Sequence, residues 1–218
     1  MKYHAILFDL DGTLLDTLQD IADSMNEALK KHGLPGYPAE SYKKFVGGGL
    51  ELLVRRVLPE NIDADSMFRL LMEQMQDEYS TRWRVNTRLY PGIRQMLDCL
   101  TEKGLRLSIL SNKPDDFTQK IYAHYLGKWN FEIVRGAGDA LPRKPDPAAA
   151  LWIAERMRLA PAEFVYLGDS STDMKTAVAA GMRPVGALWG FREADELLES
   201  GAELLIERPE EMLEVLKD

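Results

Sequence analysis

The chain has 218 residues, 45% hydrophobic and 28% charged, which excludes bulk disorder and gives enough apolar material for one domain and part of another. Its 27 Lys and Arg against 35 Asp and Glu leave a net charge of −8, opposite to the basic field of a nucleic-acid binder. The single cysteine, Cys99, excludes an intramolecular disulfide, so nothing points to an oxidising compartment.

In chain order, residues 3–8 read as a first strand, apolar until Asp9. That stretch is shorter than a signal peptide requires, and no run approaches the ~18 apolar residues of a membrane span. The expectation is a cytoplasmic protein with no membrane and no nucleic-acid partner. From Asp16 to about Arg84 the pattern is helical only. Leu18, Ile21, Met25 and Leu29 form one stripe, capped by Asp16 or Thr17 and stopped at Gly33. Leu50, Leu53, Val54 and Val57 form a second, and Met67, Leu70, Leu71 and Met75 a third. Strand–helix alternation resumes near Tyr90-Pro91-Gly92. Ile93, Met96, Leu97 and Leu100 make a helix ended by Gly104, and residues 105–110 and 131–134 are strands. Residues 147–157 form a helix and 164–167 a strand. Residues 171–180 form a helix closed by Gly181, before strands at 184–188 and 203–206. Several strands are apolar nearly throughout, as strands covered on both faces are. The predicted fold is α/β: a doubly wound parallel sheet, Rossmann-like, over residues 1–15 and 85–218, with an all-helical insertion over 16–84.

In such sheets ligands bind beyond the carboxyl ends of the strands, and four elements there carry chemistry. Asp9-Leu10-Asp11-Gly12-Thr13 follows the first strand; continued extension would point Asp9 and Asp11 to one side. Close carboxylates repel unless a proton or cation lies between them, and oxygen ligands suit a hard ion such as Mg²⁺. Taken alone, the segment reads first as a solvated turn after a strand. Gly168-Asp169-Ser170-Ser171-Thr172-Asp173 ends another apolar strand, with Ser170 or Ser171 as a helix cap and Asp173 in the first turn. Ser111-Asn112-Lys113-Pro114 ends a strand and opens a helix at Pro114, offering a hydroxyl, an amide and backbone N–H groups to an anion. Arg143-Lys144-Pro145-Asp146-Pro147 places a lysine in a segment stiffened by two prolines.

Together these four motifs, in this order, resemble those of the haloacid dehalogenase superfamily of phosphatases, from residue 5 to about 190. The resemblance implies that Asp9 is the nucleophile forming an aspartyl-phosphate and Asp11 the general acid and base. It implies that Ser111 and Lys144 act on the phosphoryl group, with Gly12, Thr13 and Asn112 lining the phosphate site. Mg²⁺ would be held by Asp9, the main-chain oxygen of Asp11 and Asp169, with Asp173 in support. The helical insertion would be a cap serving as lid and substrate selector. Its Val46-Gly47-Gly48-Gly49-Leu50 loop looks like that of the phosphoglycolate phosphatase branch, in which Gly47, Gly48 and Gly49 would meet a small phosphorylated metabolite bearing a carboxylate. The same loop also fits a flexible turn. Two alternatives stand beside this reading: a sugar-phosphate mutase, whose cap loop is typically polar and Arg-containing, and a non-catalytic phosphoacceptor or binding module. A receiver domain of the latter kind is shorter and lacks a helical insertion. A dehalogenase proper generally lacks the second acid, Asp11.

Overall fold

The computed structural model describes residues 2–59 and 64–217. It divides the chain into two compact units, Met1–Leu15 with Leu89–Asp218, and Asp16–Arg88.

The first unit holds a six-stranded sheet. Its strands are β1 (Ala5–Phe8), β4 (Arg106–Pro114), β5 (Phe131–Ala137), β6 (Phe164–Gly168), β7 (Arg183–Ala187) and β8 (Leu204–Ile206). Two-residue strands β2 (Leu15–Asp16) and β3 (Arg88–Leu89) pair with each other at the unit boundaries. The sheet order is β5-β4-β1-β6-β7-β8, all parallel. From β1 the chain passes to β4 on one side and later to β6 on the other, so β1 lies at the topological switch point. Every side chain of β1 is fully buried, as are Phe164–Leu167, which is why neither strand alternates polar with apolar. Helices α7 (Ala148–Arg156) and α8 (Ser171–Ala180) give Ala150, Ile153 and Ala177 to a core cluster with Leu7, Phe164 and Tyr166. Helix α5 (Ile93–Glu102) buries Ile93, Met96, Leu97 and Leu100, the expected stripe. Two short helices, α9 (Ala194–Glu199) and α10 (Met212–Val215), follow β7 and β8.

Two local expectations change here. Strand β4 does not stop at Leu110 but continues through Ser111, Asn112 and Lys113. Helix α6 accordingly starts at Asp115, with Pro114 as its cap residue. Both follow from the pairing of Pro114 with Ala137 of β5, a register that local sequence does not encode.

The second unit contains α1 (Leu18–Lys31), α2 (Tyr42–Phe45), α3 (Leu50–Val57) and α4 (Ala64–Arg82). Helix α1 buries Leu18, Ile21, Met25 and Leu29, and α3 buries Leu53, Val54 and Val57. Thr17 is the cap residue of α1, but neither it nor Asp16 makes the expected cap: the Thr17 hydroxyl makes no side-chain cap bond and is buried without a partner. On α4 the buried set is Leu71, Met75, Glu78 and Tyr79, whereas Leu70 is exposed. Of the expected stripe, Leu71 and Met75 are buried, Met67 is half-buried and Leu70 is turned outward. The chain returns to the sheet unit at Leu89, beyond the expected residue 85, because the Asn86 and Thr87 backbone N–H groups bond to Asp20 of α1. Helix α2, unmarked by periodicity, is held by Tyr42, whose hydroxyl donates to Asn26 Oδ1 (2.7 Å) and whose ring meets Phe45 edge-on. Among the described residues no helix is long and apolar enough to cross a membrane.

Candidate active site

The carboxyl ends of β1, β4 and β6 converge at the switch point, and each delivers part of the candidate site. Asp9, one residue past β1, is 7% exposed. Its backbone N–H donates to Leu167 O of β6, and its Oδ1 accepts from Leu10 N (2.7 Å) and pairs with Lys144 Nζ (2.8 Å). Asp169 follows Gly168, and Asp173 lies in the first turn of α8. Ligand atoms of Asp9, Asp169 and Asp173, all buried, lie within 4.8 Å of one another.

Each acid is held differently. Asp173 Oδ2 accepts from Ser170 N (3.1 Å) and Ser170 Oγ (2.6 Å), so Ser170 is the cap residue of α8 and Asp173 closes the turn. Its other oxygen accepts from Lys144 Nζ at 2.7 Å. Asp169 accepts from Thr13 Oγ1 on Oδ1 (2.9 Å) and from Phe191 N on Oδ2 (2.8 Å). Gly12, at φ +88°, is in the left-handed region, and a Cβ there would fall on the Asp169 carboxylate; glycine is required on both counts.

Lys144 is almost fully buried. Asn112 grips its backbone from both sides, with Nδ2 donating to Lys144 O (3.0 Å) and Oδ1 accepting from Lys144 N (2.9 Å). Asn112 and Thr13, expected to line a phosphate site, thus spend these side-chain bonds on holding Lys144 and Asp169. Ser111, also buried, accepts from Lys113 N (3.2 Å).

The chain bends at Leu10, one residue past Asp9, so the extended backbone on which strict alternation rests does not run through to Asp11. The Asp11 carboxylate instead pairs with Lys113 Nζ through both oxygens, at 2.8 and 3.1 Å, and stands outside the carboxylate cluster. Lys113 was visible in its motif without a role. The loop after β7 was missed altogether. Its Trp189 donates from Nε1 to Thr13 O (2.9 Å), Gly190 packs on Asp169, and Phe191 supplies the N–H on Asp169. The available signal was Gly190 between two aromatics just beyond a strand tip.

Electrostatically, Lys144 pairs with two of the three buried acids, Asp9 and Asp173, while the Arg192 guanidinium draws on the third, Asp169. Burial pushes the Asp9 carboxyl well above the usual range, and Asp173 and Asp169 push it further than Lys144 draws it back. Burial, with Asp173 beside it, raises Asp169 to about 7, despite the bonds from Phe191 and Thr13. Burial alone would lower Lys144, yet Asp173 and Asp9 hold it well above the lysine range, so it stays protonated. Acids that close are buried as anions only with a further cation between them. Carboxylate oxygens alone make a donor set for a hard divalent ion. The glycines of the 47–49 loop belong to the helical unit, where Gly47 and Gly49 have φ of 103° and 88° and Gly49 caps α3; Gly48 does not share this conformation.

Comparison with known proteins places these features in a family. Residues 6–187 match the family described as haloacid dehalogenase-like hydrolase. Phosphoglycolate phosphatase of Nitrosospira multiformis is 34% identical over 206 residues, covering 93% of this chain and 90% of that protein. The phosphoglycolate phosphatase of Vibrio parahaemolyticus is 29% identical, covering 97% and 95%. Among solved structures, that of a predicted phosphoglycolate phosphatase from Haemophilus somnus superposes with a TM-score of 0.90 at 26% identity, over 99% of both chains.

Proposed function

The chain belongs to the haloacid dehalogenase-like hydrolase family, and we propose that it is a Mg²⁺-dependent phosphatase cleaving a small phosphomonoester of the phosphoglycolate kind through an aspartyl-phosphate. The observation that carries this reading is the buried Asp9 at the switch point, fixed by Leu10 N and Lys144 Nζ and set against Asp169 and Asp173. A carboxylate is a weak nucleophile toward a phosphate dianion until that negative charge is screened. Mg²⁺, held by Asp9, the Asp11 main-chain oxygen and Asp169 with Asp173 in support, supplies charge neutralisation when bound.

The protein's own groups do the rest. Lys144 presents its ammonium at Asp9, where it orients the nucleophile and offsets charge on the transferring group. A carboxylate oxygen of Asp9 attacks phosphorus as the bond to the leaving oxygen breaks. Asp11 gives a proton to that oxygen, then takes one from the water that opens the aspartyl-phosphate. Ser111 donates to a phosphoryl oxygen. Asn112 keeps Lys144 in register, since it holds both the N–H and the C=O of that residue. The helical unit acts as a lid, excluding stray water and selecting the substrate through Gly47, Gly48 and Gly49. The partner is a small phosphorylated metabolite. Both curated relatives carry the name phosphoglycolate phosphatase, which supports a substrate with a short carboxylate arm.

The test is a panel of phosphomonoesters assayed with Mg²⁺ and with chelator, ranked by kcat/KM. Short carboxylate-bearing phosphates should lead, and Mg²⁺ should be essential. Asp9→Ala should lose turnover by about 10⁴-fold or more; near-normal turnover in purified Asp9→Ala would overturn the covalent mechanism.

A further inference from the structure

The bonds around Asp169 form a closed ring. Thr13 Oγ1 holds one carboxylate oxygen and Phe191 N the other. The two holders come from segments far apart in sequence, the turn after β1 and the loop after β7. A third bond joins them: Trp189 Nε1 donates to Thr13 O at 2.9 Å. Between the joints the chain has no slack, since a Cβ at Gly12 or Gly190 would strike the Asp169 side chain. The Trp189 bond therefore ties the main chain of Thr13, whose hydroxyl holds Asp169 Oδ1, to the loop whose Phe191 N–H holds Asp169 Oδ2.

We propose that Trp189 is a positioning residue for the metal: through its indole N–H it locks the Thr13 turn to the 189–191 loop and so sets the orientation in which Asp169 receives the divalent cation. This rests on the reading of Asp169 as a metal ligand given above. Trp189 touches no carboxylate of the cluster by this bond; it acts through Thr13 and Phe191. Groups that orient a ligating carboxylate change metal affinity by about 10–100-fold when removed, because the ligand must then be immobilised at the moment of binding. A carboxylate already held at both oxygens loses little freedom when the ion arrives. A carboxylate freed at one end loses more.

The experiment is Trp189→Phe, which keeps an aromatic ring and removes the N–H. Mg²⁺ binding is measured by titration calorimetry on the purified chain without substrate, alongside the Mg²⁺ dependence of phosphatase activity. The expected result is a Kd for Mg²⁺ about tenfold weaker, with the half-saturating Mg²⁺ for turnover rising in parallel, so that added Mg²⁺ recovers much of the lost rate. Thr13→Val should weaken Mg²⁺ directly. Adding Trp189→Phe to Thr13→Val should then weaken it by clearly less than tenfold, because the shared path is already cut. A thermal melt in chelator separates this from general damage: a melt unchanged by Trp189→Phe, with weakened Mg²⁺ binding, supports positioning. Unchanged Mg²⁺ affinity in Trp189→Phe, or a fall in turnover that added Mg²⁺ does not relieve, overturns it. No Mg²⁺ binding by the wild-type chain would instead overturn the metal reading itself.

Discussion

Both units bury carboxylates, but they treat them in opposite ways. In the helical unit Asp20 is 1% exposed and is answered by Asn86 N, Asn86 Nδ2, Thr87 N and Thr87 Oγ1 at 2.7–3.1 Å. Glu78, 7% exposed, is answered by Lys31, Arg82 and Gln74. In the sheet unit Asp9, Asp169 and Asp173 crowd one another, with Lys144 paired to Asp9 and Asp173. An acid fully answered by donors from its own unit is cement. Acids left facing each other in the interior are costly unless something else arrives, and that cost marks the site.

Four experiments sharpen or break this contrast. The largest effect belongs to Asp11, which lies outside the crowded cluster and carries the proton transfers. Asp11→Asn should lower kcat by about 10²–10⁴-fold, with Mg²⁺ binding by calorimetry retained because only its main-chain oxygen is assigned to the ion. Loss of Mg²⁺ binding in Asp11→Asn would mean its role is misassigned.

Next comes a paired stability measurement. Asp20→Asn sets an amide N–H₂ against a backbone N–H whichever way it turns, Asn86 N at one oxygen position or Thr87 N at the other, and should cost about 2–4 kcal/mol in urea unfolding. Asp169→Asn, assayed in chelator, should cost clearly less, since it relieves repulsion with Asp173. It should also abolish the rise in melting temperature that Mg²⁺ gives the wild type. Equal losses in the two variants would erase the distinction between the regions.

Smaller still is a pH effect in the helical unit. The Lys31 bond, aided by Arg82, holds the Glu78 carboxyl below its usual range despite burial. A depressed carboxyl stabilises the fold fully above the unfolded value, about 4.3 for glutamate, and the contribution disappears as pH falls through the folded value. The stability difference between wild type and Glu78→Gln should accordingly be full above about pH 5 and shrink below it. A gap that widened in acid would reverse the sign of the argument.

The smallest concerns Thr17, whose buried hydroxyl has no partner. Thr17→Val keeps the shape and removes an unanswered polar atom, so unfolding should show no loss, or a gain of up to about 1 kcal/mol. A clear loss would reveal a bond that the fold conceals.

Much of this was legible in the chain. Apolar runs ended by Asp9 and Asp169, the stripe Ile93, Met96, Leu97 and Leu100, and the stop at Gly181 with φ 71° each depend on neighbours within a turn or a strand, where side-chain period and glycine geometry act directly. The order of strand tips bearing acids, a hydroxyl and lysines is likewise a property of the string. Which cation meets which acid is not. Lys113 and Asp11 lie 102 residues apart, Thr13 and Trp189 lie 176 apart, and Asp20 finds Thr87 across 67. Sheet order and register bring the first two pairs together, and packing of the helical unit brings the third. Those arrangements minimise the burial cost of the whole chain, a quantity that no local segment contains. The sequence therefore determined the parts and the edge of the sheet on which they gather. Only the tertiary structure decided that Lys144 stands between Asp9 and Asp173 while Lys113 is spent on Asp11, and that a tryptophan beyond the last recognised motif closes the ring around Asp169.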